Sequence, residues 1–199
     1  MTELSLPIST ERLLLRPYRP DDVEASLAYY EDPDVARYIP WEPWSREVAE
    51  EQVLRRTTRT GIENAASALA LVVESAGGVI GDVVLWPADE TLSYGEAGWA
   101  FHPRVAGQGF ATEAVRALFE VAFGCYGMHR VMAKLDARND RSARLCERLG
   151  MTREGHLRRD CWAKGEWTDT VIFGLLAQEW SATRARRAHP PASVSATGR

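Results

Sequence analysis

The segment Phe101-His-Pro-Arg-Val-Ala-Gly-Gln-Gly-Phe-Ala-Thr-Glu-Ala114 decides how this chain folds. It follows a run of strand character, Tyr94–Phe101, and opens a helical run, 109–123, with Ala114, Leu118, Val121 and Ala122 on one face. A strand entering a glycine-rich turn that leaves as a helix lets consecutive backbone N–H groups converge. The helix N-terminus adds partial positive charge to them, so such a turn binds a pyrophosphate without lysines. No Gly-Lys-Ser/Thr closes the turn, which excludes a Walker A loop. The plainer alternative is that Gly107 and Gly109 only let helix and strand pack closely.

Outward from the turn, the pattern is regular. Upstream, residues 11–16 (ERLLLR) read as a strand closed by Pro17 and Pro20. Residues 21–31 have helical spacing, which Asp32-Pro33 breaks. A proline-stiffened aromatic loop, Tyr38 to Trp44, leads to Ser45, the N-cap of a helix through about Thr58. Residues 67–74 and 79–86 form a hairpin around Ala76-Gly77-Gly78, and Gly98 within the next strand marks a bulge or a close backbone approach. Downstream, strand 130–135 precedes helix 142–149, which Gly150 stops. Residues 151–162 and 168–176 pair around Lys164-Gly165-Glu166. The expected fold is α/β, a mixed, largely antiparallel sheet of about seven strands with helices on both faces. One domain over 8–180 is expected, and residues 181–199 read as an Arg/Ala/Ser/Pro-rich mobile tail.

Composition narrows the function. The 199 residues carry a net charge of −4, yet the last 19 hold four arginines and no acid, leaving −8 on residues 1–180. An acidic body disfavours nucleic acid as the main partner. No apolar run reaches membrane-spanning length, and the N-terminus does not read as a signal peptide. Cys125, Cys146 and Cys161 lack C-x-x-C spacing, as expected in a reducing cytoplasm. His102, His129, His156 and His189 lack metal-ligand spacing, so no metal is expected.

The strand end, turn and helix resemble the coenzyme-binding motif of the GNAT N-acetyltransferase superfamily. The likeness extends to Ile8-Ser-Thr-Glu-Arg-Leu-Leu-Leu-Arg16, Asn139-Asp-Arg-Ser142, Leu149-Gly-Met151, Gly155-His-Leu-Arg158, Asp169 and Glu179-Trp180. These are similar to the RimJ/RimL-like branch, which acetylates N-terminal amines of ribosomal proteins. The resemblance implies acetyl-CoA as cosubstrate, a splayed sheet and direct transfer to an amine. The family pattern Gln/Arg-x-x-Gly-x-Gly/Ala fits as Arg104…Gly107…Gly109 by letters. By position Ala106…Gly109…Ala111 fits better, because it keeps the spacing from Phe101 and Thr112. Backbone amides of Ala106, Gly107, Gln108, Gly109, Phe110 and Ala111, with the Thr112 hydroxyl, would then hold the phosphates, and Arg104 would add charge. Phe101 lies on the strand that binds the pantetheine arm. Asn139 is a helix N-cap and, by resemblance, also reaches that arm.

Acetyl transfer to an amine requires a base, an oxyanion donor and a proton for the departing sulfur. The resemblance assigns the oxyanion donor to the Trp99 N–H at the expected bulge; the Trp99 side chain reads as core. Glu96 is the candidate base, against the alternative of a solvent-facing strand residue. The acidic Tyr of many relatives is replaced by Cys146, which reads as a small buried hydrophobe. Ser142 is the proposed donor to sulfur, against a plain first-turn role. Residues 20–52 hold ten acids against Arg37 and Arg46, either a cleft for a cationic amine or simply solvated helix faces. Residues 129–148 are net +3, where the adenosine phosphate end is expected. The acceptor reads as a protein N-terminal α-amine. The alternatives are a small amine (polyamine, aminoglycoside or amino-acid derivative), or a non-catalytic acyl-CoA-binding regulatory module. A homodimer is compatible with this reading.

Overall fold

A computed structural model describes residues 3–63 and 67–188. The chain opens with β1 (Ile8–Ser9), β2 (Leu14–Pro17) and a 3-10 turn at Pro20–Asp22. Then come α1 (Val23–Tyr30), α2 (Pro33–Ala36), α3 (Arg46–Thr57) and β3 (Thr60–Gly61). Ser45 caps α3 as expected, its hydroxyl accepting the Val48 N–H at 3.4 Å. The strands β4 (Ala68–Ser75), β5 (Gly78–Pro87) and β6 (Tyr94–Phe101) lead into α4 (Phe110–Glu120), which continues as a π turn at Val121–Cys125. The order ends with β7 (Arg130–Asp136), α5 (Asp140–Arg148), β8 (Thr152–Ala163), β9 (Glu166–Leu176) and α6 (Ala177–Ala188).

The sheet has nine strands in the order β1-β2-β4-β5-β6-β7-β9-β8, with β3 paired to β4. The two strands beyond the expected seven, β1 and β3, are two residues each, too short for any alternation to register. Among the described residues every pairing is antiparallel except β6 with β7. Residues 181–188 correct the tail reading. They continue α6, whose Trp180 is buried edge-on against Phe119 and stacked on Phe123. Residues 189–199 of the expected tail lie outside the described residues. Among the described residues no helix is long and apolar enough to cross a membrane.

Two cores cover the two sheet faces. On one, Leu71, Val83, Leu85 and Ala97 pack against Ala114, Val115 and Leu118 of α4 and Leu145 and Cys146 of α5. On the other, Ala70, Val72, Val84 and Ala100 meet Val53, Tyr29, Tyr30 and Trp44 from the α1–α3 segment. β4 is buried on both faces, which explains its unbroken apolar run.

Buried ions tie the α1–α3 layer down. Asp82 of β5 is 1% exposed and accepts hydrogen bonds from Tyr29 Oη at 2.7 Å, Tyr30 Oη at 3.2 Å and Arg56 Nη1 at 3.0 Å. Arg56 also donates to Tyr18 Oη at 2.7 Å and lies over the Trp44 and Tyr30 rings. Arg16 grips Asp22 through two hydrogen bonds of 2.7 and 2.8 Å. Charges this deep are tolerated because each is paired and hydrogen-bonded; removing one partner would leave the other stranded.

Candidate active site

The glycine turn has the conformation its composition predicts. Gly107 (φ 77°) and Gly109 (φ 82°) are both left-handed, and Gly109 is the N-cap of α4. A Cβ on Gly107 would meet nothing within 4 Å, so the space beside the turn is open. Ala106 is extended and ends a short 3-10 turn that begins at Pro103. Side chains of the turn are committed to the protein itself. Arg104 Nη2 donates to the Val79 carbonyl at 2.8 Å, and Gln108 Nε2 donates to the Arg104 carbonyl at 3.0 Å. The Arg104 guanidinium is thus anchored to a carbonyl near the start of β5. It lines a groove of about 920 Å³ with Arg12, Leu14, Glu74, Ile80 and Phe110.

Two arginines outside the expected set do approach the turn. Arg12 Nη1 donates to the Gln108 carbonyl at 3.0 Å, and the guanidinium sits 4.4 Å from the Phe110 ring centre. It also binds Glu113 in the first turn of α4, through Nε at 2.7 Å and its backbone N–H at 2.9 Å, while Thr10 Oγ1 donates to the same carboxylate at 2.6 Å. Burial opposes the Glu113 charge, yet these hydrogen bonds outweigh it and hold the carboxyl below the usual range. Arg148 of α5 donates from Nε to the Thr112 hydroxyl at 3.4 Å. With Arg141 and Arg144 it forms an exposed basic face on α5 beside the turn.

The sheet opens next to this turn. Hydrogen bonds from Ala88 N to the Tyr94 carbonyl and from His102 N to the Ile80 carbonyl fix which residues of β6 bond to β5: the even-numbered ones. By antiparallel alternation the main-chain groups of Trp99 and Phe101 point the other way, towards β7. Yet β7 pairs with β6 only through Tyr94, Gly95 and Glu96. Beyond Glu96 the strands part, and the Trp99 and Phe101 N–H and C=O groups face the gap. No bulge produces this, contrary to expectation, because the β5–β6 register runs unbroken from Gly95 to Phe101. Gly98 instead answers a close approach: a Cβ there would lie 2.7 Å from the Trp86 ring.

Side chains around the gap sort by parity. Odd residues of β6 join the α4–α5 core, and Trp99 Nε1 donates to Ser142 Oγ at 3.2 Å. The Ser142 N–H in turn donates to Asn139 Oδ1 at 3.0 Å, so Asn139 caps α5. Trp99, Ser142 and Asn139 are thus brought together across the opening. Glu96 lies on the opposite, α1–α3 face, 30% exposed, with its Oε2 3.2 Å from Lys134 Nζ. Cys146 is fully buried, and burial pushes its thiol up to about 12, so it is inert.

The charge reading needs refinement on both sides. Asp22 is buried against Arg16, Asp32 caps α2 and Glu24 pairs with Arg46, so part of the acid surplus is structural. Trp44 is core, stacked 3.9 Å from Tyr30, whereas Trp41 is 43% exposed. On the basic side Arg130 pairs with Glu154 and Arg138 with Asp136 and Glu166, which leaves the α5 arginines as the exposed positive face.

Comparison with known proteins agrees with this geometry. Residues 12–152 match the family model described as an acetyltransferase (GNAT) domain. The uncharacterized N-acetyltransferase YnaD of Bacillus subtilis (strain 168) is 31% identical over 175 residues, 87% of this chain and 99% of YnaD. The ribosomal protein uS5-alanine N-acetyltransferase of Escherichia coli (strain K12) is 30% identical over 87 residues, 44% of this chain and 45% of that protein. The crystal structure of a GNAT-family acetyltransferase from Bacillus anthracis superposes with a TM-score of 0.79 at 28% identity, covering 87% of this chain and 99% of that one. A splayed sheet with a glycine turn at its mouth is the frame of an acetyl-CoA-dependent transferase. The chain belongs to the GNAT family of N-acetyltransferases.

Proposed function

We propose that this enzyme transfers acetyl from acetyl-CoA directly to a protein N-terminal α-amine. The observation that carries the reading is the gap at Trp99, with Glu96 on one face and Ser142 on the other. The left-handed turn, its open side and the outward-facing main chain of β6 suit a cosubstrate with a pyrophosphate and an amide-bearing arm. Backbone N–H groups from Ala106 to Ala111 and the Thr112 hydroxyl hold the phosphates, with Arg148 adding charge. Phe101, Trp99 and Asn139 align the arm.

Each step then falls to a named group. Glu96 accepts a proton from the acceptor ammonium through a water, and the freed amine attacks the thioester carbonyl. The Trp99 N–H stabilises the oxyanion. Ser142 Oγ already accepts the indole N–H, so its own hydroxyl proton is free to meet the departing sulfur. The exposed acids Glu31, Asp34 and Glu42 of the α1–α3 segment draw a cationic amine.

A CoA-release assay across N-terminal peptides, polyamines and aminoglycosides tests this. Peptides with a free N-terminus should give the highest kcat/KM and N-blocked peptides none; preference for a polyamine would reassign the acceptor. Glu96→Gln should lower kcat about 100-fold, as loss of a general base does, with acetyl-CoA affinity unchanged. Unchanged kcat would remove Glu96 from the role.

A further inference from the structure

We propose that Lys134 is a self-acetylation site: the enzyme acetylates its own Lys134 ε-amine. The proposal rests on the transferase reading above. Glu96 pairs with Met132 in the last step of the β6–β7 ladder, so continuing that register would set Lys134 against Gly98, beside Trp99. The strands have parted by then, and Lys134 stands at the margin of the gap. Its even position on β7 puts its side chain on the Glu96 face of the sheet.

Its Nζ lies 3.2 Å from Glu96 Oε2, and the side chain is 48% exposed. The candidate base therefore already holds a primary amine, the same functional group as the acceptor class. The chain has only one other lysine, Lys164, and its Nζ donates to the Ala36 carbonyl, linking the β8–β9 hairpin to α2.

The chemistry balances without any further reactant. Glu96 takes one proton from the Lys134 ammonium, and the nitrogen lone pair forms a C–N bond to the thioester carbonyl carbon. The Trp99 N–H bears the oxyanion until the C–S bond breaks. As the C–S bond breaks, the nitrogen's second proton passes to water, Ser142 relays a proton to the thiolate and regains one from that water, and Glu96 returns its proton to solvent; the products are Nε-acetyl-Lys134 and CoA thiol. One proton is released overall. Acetyl-Lys134 is neutral and no longer forms an ion pair with Glu96, which leaves the carboxylate to an external ammonium.

Peptide mass spectrometry on the full chain after incubation with acetyl-CoA, without any acceptor, tests the proposal. The expected result is an acetyl group on Lys134, Lys164 unmodified, and labelling of Lys134 about 100-fold slower in Glu96→Gln. Lys134→Arg should abolish that label while retaining the wild-type melting curve. Equal labelling of both lysines, or labelling of Lys134 that ignores Glu96→Gln, would mean chemical acetylation and overturn the proposal. An unmodified Lys134 in a preparation that acetylates peptide amines would overturn it while the transferase reading stands. If calorimetry on the same preparation shows no acetyl-CoA binding, both readings fall together.

Discussion

Trp99 joins the two sides of the gap with a single residue. Its main-chain N–H faces the opening, and its indole N–H fixes the Ser142 hydroxyl on α5. The family resemblance pointed to this main-chain group, as a donor at a bulge. The indole contact was not legible in the sequence, because its partner lies 43 residues away and only the path of β7 and α5 brings it close. Lys134 escaped for the same reason: counted within a basic segment, it meets Glu96 through the parallel β6–β7 pair. Trp99→Phe keeps the ring and removes the donor. Losing one such hydrogen bond should lower kcat about tenfold with acetyl-CoA affinity essentially unchanged. An unaltered kcat would show that the indole only fills space.

The elements around the turn explain why its sequence looked poor in charge. Gly107 and Gly109 signalled the left-handed turn, and Gly150 (φ 86°) ended α5 where expected. The clamp of Thr10 and Arg12 on Glu113 spans about a hundred residues and leaves no local pattern. α6 was hidden differently: Ala and Arg favour helix, but 181–188 lack the apolar period that distinguishes a docked helix from a tail. Glu113→Ala should destabilise the protein by about 1–2 kcal/mol at neutral pH, since the carboxylate has charged and neutral donors but Arg12 is half in water. Its folded-state pKa is held below the ordinary value, so the contribution is present above the unfolded titration near pH ~4 and disappears as pH falls through the folded one. Thermal unfolding of the two proteins should therefore converge in acid. A constant difference down to about pH 2 would refute the ionic clamp.

Across the whole molecule, the net charge of −4 resolves into unlike surfaces. Exposed acids remain on the α1–α3 side, while an arginine face on α5 flanks the turn that would meet phosphates. Strand alternation and helix spacing made the mixed sheet legible. The splay was implied only by family resemblance, since where β7 leaves β6 depends on the packing of α5 behind it. Charge counting could not separate acids buried for structure, such as Asp22 and Asp82, from acids facing a ligand. The most direct test of the central claim is a crystal structure with bound acetyl-CoA. The pyrophosphate should lie on the backbone of residues 107–112, and the thioester carbonyl should accept the Trp99 N–H between β6 and β7. Cosubstrate lying instead in the groove lined by Arg12, Glu74 and Arg104 would contradict the account.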